Sequence, residues 1–213
     1  MPRERRKFNR ISGTRDPSLI VIATEGHNTE RQYFEGVKRH CGENSSRLKF
    51  KVLKNRPPEH SAPNHVLQEL DDYKKQYGLG SQDDLCMVID RDRWSAMLPS
   101  IAAKCADKQY MLLLSNPCFE LWLLLHFSDV NALSEHDKSR LHRNQNDYLK
   151  KTVRRAIGSY NPSDLNIDDF WPKTSDAIAH AIRLDINPHE RWPNELGTRV
   201  YLLMQKVLAS FAV

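Results

Sequence analysis

Two aspartates spaced i, i+2, Asp90 and Asp92, end the stretch 87–93 (M-V-I-D-R-D-R), directly after an apolar run at 85–89. A short continuous apolar run has the composition of a strand buried on both faces. Carboxylates just beyond such a strand face the crevice where open α/β sheets take their ligands. Two acids this close repel unless a cation or a proton lies between them, so a hard-oxygen site for Mg²⁺ or Mn²⁺ is the chemistry they suggest. The same spacing also fits a helix-capping Asp90 followed by a solvated Asp92. Glu25 follows a second apolar run, L-I-V-I-A at 19–23. Glu120 stands among Phe119, Leu121, Trp122 and Leu123. A carboxylate in such company needs a partner, as a fourth acid of the site or as an acid favoured by a helix dipole. Glu25, Asp90 and Asp92 together could hold a divalent cation that polarises a phosphodiester. Glu25 could instead serve as general acid or base. Arg91 and Arg93 could grip a phosphate through paired hydrogen bonds or neutralise the neighbouring acids.

Other chemistries lack their residues. There is no G-x-x-x-x-G-K-[ST] or G-x-G-x-x-G phosphate loop, no H-E-x-x-H among nine histidines and no G-x-S-x-G elbow. His27 alone among the histidines falls near a proposed acid. The four cysteines show no C-x-x-C pairing, and Cys118 lies in an apolar context unsuited to a reactive thiolate. They read as small core residues of a reduced, cytoplasmic protein. No apolar run approaches the ~18 residues of a membrane span, and no signal-like segment opens the chain.

The elements that must position these residues follow from the apolar pattern. Strands are expected at 19–23, 48–53, 85–89 and 110–114, with helices between them at about 28–41, 64–77 and 96–107. That alternation predicts an α/β fold, a mainly parallel sheet of about four strands with helices on both faces. All parallel strands then finish on one edge, which lets Glu25 meet Asp90 and Asp92. Ser115-Asn116-Pro117 reads as the capped start of a buried helix with proline in its first turn. Beyond residue 128 the spacing predicts a basic helix at about 137–157, a helix at 175–184 and a final helix at 194–209. The organisation expected is a basic arm at 1–17, a core at 18–130 and a helical extension at 131–213 packed on it as one compact domain.

Charge is unevenly placed. The chain of 213 residues has a net charge of +5. Residues 1–16 carry six Lys/Arg against two acids, and residues 138–155 carry seven against Asp147 alone. The rest of the chain is therefore acidic. Two basic patches on an acidic body suggest a polyanionic partner, nucleic acid, met by Lys150, Lys151, Arg154 and Arg155. A solvated helix face would read the same way.

The blocks V-I-A-T-E-G at 21–26, T-E-R-Q-Y-F at 29–34, V-I-D-R-D at 88–92, S-N-P-C-F-E-L-W-L-L-L-H-F at 115–127 and the N-P…T-R-V-Y-L-L ending resemble the RloB-like family. That resemblance implies a Toprim-like (Rossmannoid) core in which Glu25 is the acid/base and Asp90 and Asp92 are Mg²⁺ ligands. Glu120 matches the acid of the F-E-x-W block. It also implies association with restriction and abortive-infection loci of bacteria and an AAA/ABC-type ATPase encoded nearby. The expected function is a metal-dependent nuclease of anti-phage defence, with DNA, tRNA and other RNA all open as substrates. The alternatives are a non-catalytic nucleic-acid-binding or adaptor subunit, and a phosphotransferase or primase-like enzyme using the same metal cluster.

Overall fold

The computed structural model describes residues 18–44, 48–53, 62–91, 94–158 and 160–211. The basic arm at 1–17, Asp92 and Arg93 lie outside the described residues.

The first half alternates as the pattern predicts. Strands β1 (Ser18–Thr24), β2 (Leu48–Val52), β3 (Asp84–Asp90) and β4 (Met111–Asn116) are connected in turn by helices α1 (Thr29–Asn44), α2 (Pro63–Tyr77) and α3 (Leu98–Lys108). The four strands are parallel in the order β2-β1-β3-β4. The period-2 alternation of strand side chains divides the apolar residues between two faces. Ile20, Ile22, Cys86, Val88 and Leu113 pack with Tyr33, Phe34 and Val37 of α1. Val21, Ala23, Met87, Ile89 and Leu114 pack with Val66 and Leu70 of α2 and Ile101 of α3. The α/β class and the mostly parallel, Rossmann-like sheet are thus as expected.

The second half covers the α1 face. Helices α4 (Glu120–Leu125), α5 (Glu135–Arg143), α6 (Tyr148–Ile157), α7 (Thr174–Leu184) and α8 (Val200–Ala209) all contribute to the same apolar cluster as α1. A fifth strand, β5 (Gly197–Thr198), pairs antiparallel with β4 through Ser115↔Thr198 and Asn116↔Gly197. It displaces the expected start of the last helix from 194 to Val200. Its register is held from behind by a buried ion pair. The Arg199 side chain donates to Asp185 Oδ2 (3.1 Å) and to the Asn187 carbonyl (3.1 Å), and Tyr201 OH donates to Asp185 Oδ2 (2.9 Å). The T-R-V-Y residues therefore do structural work.

Three further expectations change. α1 passes through Gly42 to Asn44. Pro117 is not in the first turn of α4. It follows a cis Asn116–Pro117 bond, the helix begins at Glu120, and neither Ser115 nor Asn116 caps it. Asn116 instead uses its amide to hold the carbonyls of Pro193, Asn194 and Glu195 (3.2, 2.9 and 2.7 Å). The basic helix at 137–157 is two helices, because Asn144, Asn146 and Asp147 take left-handed backbone angles with φ of 43°, 53° and 57°. Asn and Asp tolerate that region better than other side-chain-bearing residues. Among the described residues no helix is long and apolar enough to cross a membrane.

Candidate metal centre

Strand order reverses at β1, with β2 on one side and β3 on the other, and the crevice at that switch point is where open parallel sheets receive ligands. Glu25 leaves β1 there, its N–H bonded to the Val88 carbonyl of β3 (2.9 Å). Asp90 is the last residue of β3, level with Ser115 of β4. The capping alternative for Asp90 is excluded, since α3 starts eight residues later with Met97 at its N-cap.

Glu25 is only 8% exposed, and its carboxylate is held at both oxygens. Oε2 accepts from the Asp90 backbone N–H (3.2 Å), and Oε1 accepts from the Trp94 indole N–H (2.7 Å). A short bond from a neutral donor to a carboxylate is among the stronger side-chain contacts, so Glu25 has a fixed orientation. Trp94 was not legible as a site residue.

Glu120 reaches the same place from α4. Asp90, Cys118 and Glu120 each present a ligand-type atom, all within 4.8 Å of one another. Burial holds the Cys118 proton well above the usual thiol range, and the Glu120 and Asp90 charges reinforce this. Without a metal the sulfur is therefore a neutral thiol, and the charged donors of the group are the carboxylates. Carboxylate oxygens suit Mg²⁺ or Mn²⁺ rather than a thiolate-seeking metal, so the donor set fits the expected ions.

A further acid joins them. Glu30, in the first turn of α1, is 8% exposed. Its carboxyl lies against Gly26, where an added Cβ would stand 2.0 Å from Glu30 Oε2; a side chain at 26 would displace the Glu30 carboxyl from this position. Burial pushes the Glu30 carboxyl up to about 7, and the Glu120 and Glu25 charges push the same way against Lys150. In the sequence Glu30 is one residue of the T-E-R-Q-Y-F block. A first-turn acid ordinarily reads as a dipole partner, so Glu30 carried no separate signal.

One cation answers this charge among the described residues. Lys150 Nζ lies 4.0 Å from Glu120 Oε1 and 3.7 Å from Asp147. Partial burial works against its charge, but Glu120 and Asp147 outweigh it and raise its pKa. Tyr160 OH donates to Glu120 Oε1 (3.4 Å) and also meets Thr29 Oγ1 (3.4 Å). These contacts settle that Glu120 is partnered by tyrosine and lysine.

The other expected residues fall elsewhere. Arg91 donates to the Asn194 carbonyl and so points towards the loop before β5. Lys151 and Arg155 line an open cleft whose lining contains none of these acids, and exposed Arg154 lies outside it. His27 is half-buried in the turn after Glu25.

No curated protein matches this chain. No solved structure matches it either. The family described as RloB-like protein matches residues 20–207, a span that includes every described acid above. The chain belongs to the RloB-like protein family.

Proposed function

We propose that this protein is a metal-dependent nuclease, an effector of bacterial anti-phage (abortive-infection) defence, acting on nucleic-acid phosphodiesters at the carboxylate cluster. One observation carries the reading: Asp90 and Glu120 bring oxygen donors from β3 and α4 to the strand-end crevice, beside an oriented Glu25. Asp90 and Glu120, with Glu25 and Asp92 as further candidates, would hold Mg²⁺ or Mn²⁺. A bound ion there supplies positive charge that polarises the phosphodiester and offsets the charge developing on it.

The chain's own groups do the rest. Trp94 and the Asp90 N–H hold Glu25 in one orientation, ready to orient the attacking water. Lys150, at the edge of the cluster, offers its ammonium to a phosphate oxygen. Family membership supports a Toprim-like assignment for the core. The expectation of a nearby AAA/ABC-type ATPase that restrains the nuclease, in the cytoplasm, rests on the family's gene context.

The test is cleavage of tRNA and of plasmid DNA with Mg²⁺ or Mn²⁺, alone and with any neighbouring ATPase. Glu25→Gln and Asp90→Asn should abolish cleavage, and EDTA should do the same to wild type. Absence of cleavage under every condition, with nucleic-acid binding intact, would favour the adaptor subunit.

A further inference from the structure

The elbow between α5 and α6 forms a second site. Asn144, Asn146 and Asp147 turn the chain through left-handed angles, which sets the last turn of α5 against the exposed face of α6. The cleft so formed is lined by Arg140, Arg143, Tyr148, Lys151 and Arg155, with Gln145 and Asn146 at the bend, and encloses about 350 Å³. Four cations meet there without an acid in the lining. Arg143, Lys151 and Arg155 have no carboxylate partner among the described residues, and Arg140 has only Asp137 at 3.8 Å. Uncompensated cations around a concavity repel one another and are stabilised by an anion entering it. Arg140 is also stacked on the Tyr148 ring, its guanidinium carbon 4.4 Å from the centroid. An arginine–aromatic pair beside phosphate-binding cations is a feature of surfaces that accept unpaired bases.

The cleft is tied to the carboxylate cluster through its own bend. Asn144 Nδ2 donates to Cys118 Sγ (3.4 Å), and its Oδ1 accepts from Leu149 N–H (2.9 Å). Lys150, next in sequence to Lys151, turns to Glu120. One helix therefore presents consecutive residues to the two sites. We infer that the α5–α6 cleft is a nucleotide subsite that takes one phosphate and base of a single-stranded segment flanking the carboxylate cluster. This inference rests on the nuclease reading for its placement, though the binding itself does not. Its volume is at the lower end of small-ligand sites, roughly 300–1,000 Å³. A single strand can turn a nucleotide into such a space, whereas a duplex presents only backbone phosphates to its rim.

The test is fluorescence anisotropy in EDTA with short oligo(dT), oligo(rU) and a hairpin duplex. Wild type should prefer the single strands. The double variant Arg143→Gln/Lys151→Gln should bind them about tenfold more weakly, with a log–log salt slope shallower by about 1.4, two phosphate contacts at ~0.7 each. It should melt like wild type, and Asp90→Asn should bind at least as tightly as wild type. Unchanged single-strand binding by the double variant, or an equal loss for duplex and single strand, would overturn the subsite. Single-strand binding through the cleft without any cleavage in Mn²⁺ would refute the nuclease and leave the cleft standing. Cleavage with unaltered binding by the double variant would do the reverse.

Discussion

Neutralising one acid of the cluster should make the metal-free protein more stable and the metal-treated protein less responsive. Glu120→Gln keeps the volume and leaves an oxygen to accept from Tyr160, but removes a charge within 4.8 Å of Asp90. Two unit charges at that separation repel by about 3.5 kcal/mol at an effective permittivity of ~20. On the same scale Lys150 at 4.0 Å attracts Glu120 by about 4 kcal/mol, but its side chain is 49% exposed and solvent screens most of that. The buried Glu120 carboxylate also repels Glu30 and is costly to desolvate, so a net relief of about 1 kcal/mol is expected. In EDTA the variant should melt about 2–4 °C above wild type. Adding Mn²⁺ at a hundredfold excess over its dissociation constant stabilises wild type by about 2.7 kcal/mol. For a chain of this size that is about 5–10 °C. Glu120→Gln should lose most of that rise. Thermal melts by circular dichroism in EDTA and in Mn²⁺ give both numbers. A variant that melts below wild type in EDTA yet keeps the full Mn²⁺ shift would show that Glu120 is a structural acid and no ligand of the ion.

Three further outcomes follow from particular contacts. His126 is buried between Tyr33, Trp122 and Phe170, with Nδ1 donating to the Trp122 carbonyl (2.9 Å) and Nε2 accepting from Tyr33 OH (3.4 Å). Burial holds it neutral down to about pH 3. Its stabilisation is therefore full above ~6.5, the unfolded value, and is lost as pH falls from there towards the folded value. Denaturant titrations should show about 2 kcal/mol lost from this group between pH 7.5 and pH 5, and His126→Gln should flatten that limb. Trp94→Phe removes the indole donor on Glu25. It should slow cleavage about 10–100-fold, the equivalent of a hydrogen bond to a charge worth ~1.5–3 kcal/mol, with little change in melting temperature. Gly36→Ala sets helix propensity, a gain of about 1 kcal/mol, against a Cβ placed 2.6 Å from Ile167 Cβ. Overpacking of about 1–3 kcal/mol should win, and a higher denaturation midpoint would show that Ile167 yields.

The sheet was legible because its four parallel strands are apolar runs with β-branched residues, and because strand–helix alternation restricts the topology to a parallel arrangement. That same logic brought Glu25 and Asp90 to one edge across 65 residues of chain. β5 was not legible: a two-residue strand carries no period, and its pairing depends on Asn116, Asp185 and Arg199 meeting in three dimensions. The apolar stripe of 137–157 runs through both α5 and α6, so periodicity read one helix where three left-handed residues make an elbow. Glu120 was visible as a carboxylate in apolar company. Glu30 was hidden, because only the fold shows that its carboxyl lies over Gly26 rather than in solvent. Trp94 was hidden for a related reason, since a hydrogen bond to Glu25 leaves no trace in spacing.

The carboxylate cluster is proposed to hold a divalent cation. Anomalous diffraction from crystals grown with Mn²⁺ tests it most directly. One strong peak is expected at the ends of β1 and β3, within coordination distance of Asp90 and Glu120 carboxylate oxygens and lost in Asp90→Asn. Crystals saturated with Mn²⁺ that show no peak there, or a peak unchanged in Asp90→Asn, would contradict it.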